Sequence, residues 1–111
     1  MRSVSIIGIG LTQFGERWDK SLRDLVAEAG IAAVKDAKIV GNEIEAVYGG
    51  TMASGRLVGQ EHIGALIADQ LGLNPLPAHR MEAACASGSV ALRNAMMSII
   101  AGEHDVVAVG G

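Results

Sequence analysis

The sequence predicts an α/β fold in which strands and helices alternate in the order β-α-β-α-β-α-β. Two observations support this prediction: short β-branched apolar runs recur along the chain, and the segments between them repeat apolar residues at helical spacing. This alternation is typical of a parallel or mixed sheet with right-handed crossovers. With 111 residues, the chain is long enough for one domain, residues 1–111, and too short for two.

The composition favours a packed domain built from small residues. Half of the residues are hydrophobic and only 19% are charged, which excludes a disordered chain. Three residues are aromatic, whereas the 15 glycines are about twice the usual share. Core volume must therefore come from aliphatic side chains, and the small residues let helices and strands approach closely.

The first half of the chain contains two predicted strands and one predicted helix. Residues 4–10 are short, β-branched and apolar, which is typical of a strand buried inside a sheet. A helix is predicted from Ser21 to about Ala37, because Ser21 and Asp24 have the spacing of a capping box before an apolar helical repeat. The next strand is predicted over residues 46–52.

The second half predicts two helices and two more strands. Gly72 is a natural stop for the first of these helices, whose predicted core face consists of Leu57, Val58, Ile63, Leu66, Ile67 and Leu71. A strand over 78–83 leads to a helix over 86–101 with one charged residue, Arg93, which predicts burial on most of its faces. The last strand, 106–109, runs into two glycines. We therefore expect a fragment, or a chain whose exposed faces other chains cover.

Charge, hydropathy and cysteine usage exclude several classes of partner. A net charge of -3 with scattered Lys and Arg gives no electrostatic footprint for nucleic acid. No apolar run reaches the roughly 18 residues of a membrane span, so no span is expected. A single cysteine, Cys85, cannot form an internal disulfide, which favours a reducing cytoplasm and makes a metal cluster unexpected.

Several short motifs fail when their full pattern is required. Gly8 and Gly10 follow a predicted strand, but Gln13 stands where the dinucleotide fingerprint needs a third Gly or Ala. His62 follows a glutamate on a predicted helix, yet no second histidine lies four residues later, as a zinc-protease motif requires. We interpret His62, His79 and His104 as structural residues.

Cys85 is the candidate nucleophile. An isolated cysteine is usually a small buried hydrophobe, but this one lies where a predicted strand turns into a predicted helix. The free N–H groups and the positive dipole end of a helix N-terminus favour thiolate over thiol. A sharp strand-to-helix bend also presents a nucleophile, as in the elbow of hydrolases. The Cys85 backbone N–H is itself a candidate oxyanion-hole donor.

The residues around Cys85 resemble the nucleophile region of the thiolase family. The resemblance is carried by Glu-Ala-Ala-Cys-Ala-Ser-Gly-Ser at 82–89 and by Gly-Glu-His-Asp-Val-Val-Ala-Val-Gly-Gly at 102–111. The opening Ile-Ile-Gly-Ile-Gly-Leu-Thr-Gln-Phe at 6–14 is similar to the branch that includes sterol-carrier-protein-type thiolases and archaeal acetyl-CoA acetyltransferases. The resemblance covers the whole chain.

The resemblance implies an N-terminal half-domain of the thiolase fold, with a mixed sheet and a buried central helix after Cys85. It implies an acyltransferase, an acetyl-CoA C-acetyltransferase, in which Cys85 carries the acyl group of acetyl-CoA or a 3-ketoacyl-CoA. Coenzyme A thioester would be the substrate, with no permanently bound cofactor. The family's catalytic histidine, its second cysteine and most of its coenzyme A contacts match nothing in this chain.

Two alternatives stay open. A β-ketoacyl synthase-like condensing enzyme shares the fold and the cysteine, although its nucleophile is usually followed by a run of serines rather than Ala-Ser-Gly. A non-catalytic scaffold or assembly subunit would keep the fold without the chemistry. For the thiolase assignment, the resemblance implies a homodimer or homotetramer in lipid metabolism, with room for other metabolic-enzyme partners.

Overall fold

The computed structural model describes all residues, Met1–Gly111, and contains a three-stranded parallel sheet with four helices. The elements are α1 (Leu22–Ala37), β1 (Ala46–Gly50), α2 (Ser54–Val58), α3 (Ile63–Gln70), β2 (Ala78–Met81), α4 (Ser87–Ile100) and β3 (Val107–Gly110), with a short helical turn at Gly41–Glu43. The α/β class and the alternation of elements from α1 onward are confirmed. All strand pairs are parallel, so the expected mixed sheet is not formed.

The sheet order is β2-β1-β3, with β1 paired on both sides. The connection from β1 to β2, which contains α2 and α3, leads to the neighbouring strand on one side of β1. The connection from β2 to β3, which contains α4, runs in the opposite direction and passes β1 to reach its other side. Right-handed crossovers that run in opposite directions place their helices on opposite faces. α3 therefore covers one face and α4 the other.

Alternation along β1 divides the core into two clusters. Val47 packs on the α3 side with Ile44, Ala68 and Leu73. The neighbouring residues of the strand face α4, where the buried cluster consists of Ala46, Tyr48, Ala91 and Ala95. Both faces of β1 are apolar because the strand is covered on both sides.

α1 begins at the capping box that the sequence predicts. The Ser21 hydroxyl accepts a hydrogen bond from the Asp24 N–H at 3.2 Å, and the Asp24 carboxylate accepts one from the Ser21 N–H at 2.8 Å. The Ser21 N–H bond and a second bond, which the Ser21 hydroxyl donates to the same carboxylate at 2.8 Å, hold the pKa of Asp24 below its ordinary value. The helix ends at Ala37, where Lys38 adopts a left-handed conformation.

The prediction of a strand over residues 4–10 is wrong for this structure, which assigns no strand there. The segment lies along α1, where Gly8 and Gly10 approach the helix backbone so closely that a Cβ at Gly10 would lie 2.0 Å from the Ala29 carbonyl oxygen. Its Ile9 N–H donates to the Asp36 carboxylate at 2.9 Å instead of to a strand. Without a neighbouring strand no ladder forms, and its large apolar side chains are exposed.

The single helix predicted before β2 is divided into α2 and α3. Gly59 has a φ of 69°, a left-handed conformation that ends α2. Leu57 and Val58, predicted as core residues, are exposed for this reason, whereas Ile63 and Leu66 are buried as predicted.

The prediction that the helix after Cys85 is buried on most of its faces is also wrong for this chain. α4 packs on the sheet through one narrow face, which consists of Ser87, Ala91, Ala95 and Ser98. Leu92, Met96 and Met97 lie on the outer side and are exposed, because no other element of the chain covers it. Arg93 is exposed as well, so its charge is solvated.

α3 contacts β2 through Gly64, and this contact generates a stability prediction. A Cβ at Gly64 would lie 2.7 Å from the His79 backbone nitrogen, in a contact that only backbone movement could relieve. We expect Gly64→Ala to lower the free energy of unfolding by about 1–3 kcal/mol, although alanine is the better helix former. Urea denaturation measures the change.

Gly110→Ala is the matched control, because a Cβ there would meet nothing within 4 Å. We expect this variant to change the unfolding free energy by about 0.5 kcal/mol or less. Equal stabilities of the two variants would contradict the close approach of α3 to β2.

Candidate active site

Cys85 lies in the bend between β2 and α4, at the carboxyl edge of the parallel sheet. Its side chain is exposed, and it is the one cysteine of the chain and carries no disulfide. In open α/β sheets, ligands bind outside the carboxyl ends of the strands, where the crossovers change direction. The chain leaves β1 toward α3 on one face of the sheet and leaves β2 toward α4 on the other face. Cys85 follows β2 and therefore lies where the crossovers change direction. The predicted strand-to-helix location of the candidate nucleophile is confirmed by the fold.

The bend contains a left-handed alanine. Ala84 has a φ of 50°, a conformation that costs a residue with a Cβ about 1 kcal/mol. Its N–H donates a hydrogen bond to the Glu82 carboxylate, which holds the residue from one side. The chain reverses at this residue, so the bend places Cys85 immediately before α4.

Ser87 holds the bend from the other side. Its hydroxyl donates to the Ala84 carbonyl oxygen at 2.6 Å and accepts from the Ala83 N–H at 3.0 Å. The Ser87 N–H also donates to the Ala84 carbonyl, at 3.2 Å. Ser87 is 4% exposed, so these bonds are shielded from water.

The first turn of α4 has backbone donors without acceptors. Its N-cap residue is Ala86, which has no side-chain oxygen, and the first turn contains no acidic residue. The N–H groups of Cys85, Gly88 and Ser89 make no hydrogen bond within the chain. This set of free donors at a positive helix end can bind a negatively charged oxygen.

Glycines let α4 approach the ends of two strands. A Cβ at Gly50, the last residue of β1, would lie 2.5 Å from the Ser87 carbonyl oxygen and 2.7 Å from the Gly88 nitrogen. A Cβ at Gly111, just after β3, would lie 2.9 Å from the Gly88 Cα. The first turn of α4 is therefore fixed against the carboxyl ends of β1 and β3.

None of the three histidines makes a hydrogen bond or ion pair with Cys85. His62 is exposed at the start of α3. His79 is stacked on Tyr48 with ring centroids 5.2 Å apart, and His104 lies 3.6 Å from the Glu45 carboxylate. The chain thus places a nucleophile and backbone donors together, but no side-chain base beside the thiol.

Sequence reasoning missed Ser87 and the left-handed Ala84. The signals were present: alanine at the N-cap position leaves a helix start without its usual side-chain acceptor, and a serine follows it directly.

Comparison with known proteins decides the family. The family model described as "Thiolase, N-terminal domain" matches residues 4–111. The chain belongs to the thiolase family.

Two curated relatives of this thiolase-family chain are acetyl-CoA acetyltransferases. The chain is 56% identical over its whole length to the protein of Methanocaldococcus jannaschii and 50% identical to that of Methanothermobacter thermautotrophicus. It spans 28% and 29% of the length of these relatives, respectively.

Solved structures confirm the fold. The Acat5 thiolase of Ascaris suum, solved in complex with coenzyme A, is similar over 93% of this chain and 27% of its own, with a TM-score of 0.75 and 20% identity. The priming β-ketosynthase of the R1128 polyketide pathway is similar over 84% of this chain and 28% of its own, with a TM-score of 0.70 and 26% identity. The thiolase-like α/β architecture is therefore shared with condensing enzymes.

The left-handed Ala84 provides a test of the bend. Glycine adopts this conformation without the steric cost of a Cβ, so we expect Ala84→Gly to raise the free energy of unfolding by about 0.5–1 kcal/mol. Chemical denaturation of the two proteins measures the difference.

Ala65→Gly, at an exposed position of α3, is the control. There the same substitution is expected to destabilise by about 1 kcal/mol, because the backbone is helical. A destabilised Ala84→Gly protein would show that the bend does not strain residue 84.

Proposed function

We propose that this chain supplies the nucleophile of a thiolase-type acyltransferase that acts on coenzyme A thioesters through an acyl group on Cys85. The single observation that carries the proposal is the combination of an exposed thiol with three unbound backbone N–H groups at the first turn of α4. The acetyl-CoA acetyltransferase relatives support the substrate class.

The chemistry is an exchange of thioesters. The Cys85 sulfur, as thiolate, attacks the carbonyl carbon of the acetyl thioester, and a tetrahedral intermediate carries negative charge on its oxygen. The bond to the coenzyme A sulfur then breaks, leaving acetyl-Cys85. The proton lost from the thiol balances the proton gained by the leaving coenzyme A thiolate.

Backbone donors lower the energy of the intermediate. The Cys85 N–H just before α4 and the free N–H groups of Gly88 and Ser89 in its first turn provide preorganised positive charge near the developing oxyanion. Loss of one such donor from an oxyanion hole costs about 100- to 1000-fold in rate in other acyl-transfer enzymes. Electrostatic stabilisation is therefore the main contribution that we assign to this chain.

The proton-transfer groups are proposed to lie outside these residues. His62, His79 and His104 make no hydrogen bond with Cys85, and a general base must come within hydrogen-bond reach of the group it deprotonates. The relatives are more than three times as long as the matched segment, which leaves ample sequence for a base and for coenzyme A contacts.

A β-ketoacyl synthase-like condensing enzyme is the second candidate. The β-ketosynthase structure, 26% identical with a TM-score of 0.70, supports it. Acyl transfer to the cysteine would be the same in both, and only the second substrate differs. The Ala86-Ser87-Gly88 sequence and the acetyl-CoA acetyltransferase relatives favour the thiolase reaction.

We also propose a homodimer or homotetramer, working in the cytoplasm in lipid metabolism. Exposed apolar side chains on the outer side of α4 and along residues 6–14 support association, because a large exposed apolar patch usually marks a contact surface. No helix is both long and apolar enough to cross a bilayer.

The proposal predicts a covalent adduct at one position. Incubation of the native gene product with acetyl-CoA is expected to add one acetyl group, about 42 Da, that intact-mass spectrometry detects and peptide mapping assigns to Cys85. Cys85→Ala removes the nucleophile, so this variant is expected to gain no adduct.

Ser98→Ala, which removes a hydroxyl from the far half of α4, is the control and is expected to acquire the acetyl group like the wild type. An adduct that survives in Cys85→Ala would disprove the assignment. A wild-type protein that gains none would favour the non-catalytic scaffold. Chase of the acetyl protein with acetyl-CoA or with a malonyl thioester separates the thiolase from the synthase reaction.

A further inference from the structure

We propose that Ser87 is a positioning residue for acyl transfer: its hydroxyl orients the peptide group that carries the Cys85 N–H. This inference rests on the proposed acyltransferase function. It concerns a residue that touches the bend rather than the reacting atoms, and it follows from the bonds that a buried hydroxyl makes.

The argument begins with one peptide plane. The Ala84 carbonyl and the Cys85 N–H belong to the same peptide group, which is trans, because the one cis bond in the chain is Asn74–Pro75. In a planar trans peptide the C=O and the N–H point in opposite directions. A group that fixes the Ala84 carbonyl therefore also fixes the direction of the Cys85 N–H.

Ser87 is that group. Its hydroxyl donates to the Ala84 carbonyl oxygen at 2.6 Å, and its own N–H donates to the same oxygen at 3.2 Å. The carbonyl is drawn toward the start of α4, so the Cys85 N–H points away from these donors and has no acceptor within the chain. The donor is left free for an acyl oxygen.

The second bond of the hydroxyl anchors it. Ser87 accepts from the Ala83 N–H at 3.0 Å, so the hydroxyl hydrogen is directed to the Ala84 carbonyl while a lone pair is occupied. The residue is 4% exposed, which keeps water from replacing either partner. Without the hydroxyl, the Ala84 carbonyl would be held only by the longer bond from the Ser87 N–H.

Ser98 shows what a purely structural serine looks like in the same helix. It is 6% exposed, and its hydroxyl donates to the Ala95 carbonyl of its own helix at 2.8 Å. Ser87 instead bonds to two residues outside α4. The two serines therefore form a matched pair, similar in burial but different in whether their hydroxyls bond to the bend.

Two reactions of the same thiol separate positioning from general damage. Acetylation by acetyl-CoA passes through an oxyanion and needs the Cys85 N–H, whereas alkylation by iodoacetamide is a direct displacement with no oxyanion. A misdirected N–H therefore slows the first reaction and leaves the second almost unchanged. Both rates are measured by mass spectrometry on the native gene product, well below its unfolding temperature.

We expect Ser87→Ala to acetylate Cys85 about tenfold more slowly, with an alkylation rate within about twofold of the wild type. Ser98→Ala is expected to keep both rates within about twofold, even if it is equally destabilised. Ser87→Thr retains the hydroxyl and is expected to recover acetylation to within about threefold.

Equal slowing of both reactions in Ser87→Ala, or no slowing of acetylation, would overturn the proposal. If Ser87→Ala does not fold, amide exchange in the wild type decides: the Ala83 N–H should exchange at least about tenfold more slowly than the unbonded Gly88 N–H. Equal exchange rates of the two N–H groups would contradict the proposed bonding of the Ser87 hydroxyl to the bend. A wild-type protein that is never acetylated contradicts the acyltransferase function itself, which is a different result.

Discussion

The close approach of α4 to the ends of β1 and β3 is the constraint on which the rest of the structure depends. The start of the helix can reach the sheet because Gly50 and Gly111 have no side chains at the contact; a Cβ at Gly50 would be 2.5 Å from the Ser87 carbonyl oxygen. Larger residues would push the helix outward. The bend that holds Cys85 would then have no fixed support, because it spans only the residues between β2 and α4.

The same contact explains why the start of α4 is left incompletely capped. α1 has a full capping box at Ser21, while α4 begins after Ala86 and has no side-chain acceptor for its free N–H groups. An alanine at this position costs about 0.5–2 kcal/mol relative to a capping side chain. Tertiary contacts through the glycines hold the helix in place instead, so the donors can remain available for a bound oxyanion.

Sequence patterns predicted the local parts of this structure well. The capping box at Ser21, the strand at residues 46–50 and the location of Cys85 depend on residues a few positions apart, and the spacing of side chains reports them directly. Gly59 could have signalled the division between α2 and α3, since a glycine after a short apolar segment is a common helix end.

The long-range parts could not be predicted in the same way. Residues 4–10 have the composition of a buried strand, but a strand needs a partner edge, and the chain places this segment along α1 instead. Likewise, the apolar outer side of α4 predicts burial without saying what would cover it. An apolar pattern in the sequence predicts that a surface is buried. It does not predict which other surface covers it, because that depends on contacts far away in the sequence or in other chains.

The site illustrates how backbone groups can be oriented for chemistry without a histidine bonded to the nucleophile. No histidine is hydrogen-bonded to Cys85, and the groups proposed to face an acyl oxygen there are backbone N–H groups whose directions depend on peptide planes. The orientation of a peptide plane is fixed by a bond to its carbonyl as well as by a bond to its N–H. The buried Ser87 hydroxyl, bonded to the Ala84 carbonyl, can therefore direct the Cys85 N–H on the other side of the same peptide group. In the proposed acyl transfer, the catalytic geometry therefore depends on a residue that does not touch the substrate. In the proposed reaction, acyl transfer to the cysteine precedes any choice of second substrate, so these residues would serve a thiolase and a condensing enzyme equally. Selectivity between the two reactions would then arise from groups that contact the acyl acceptor.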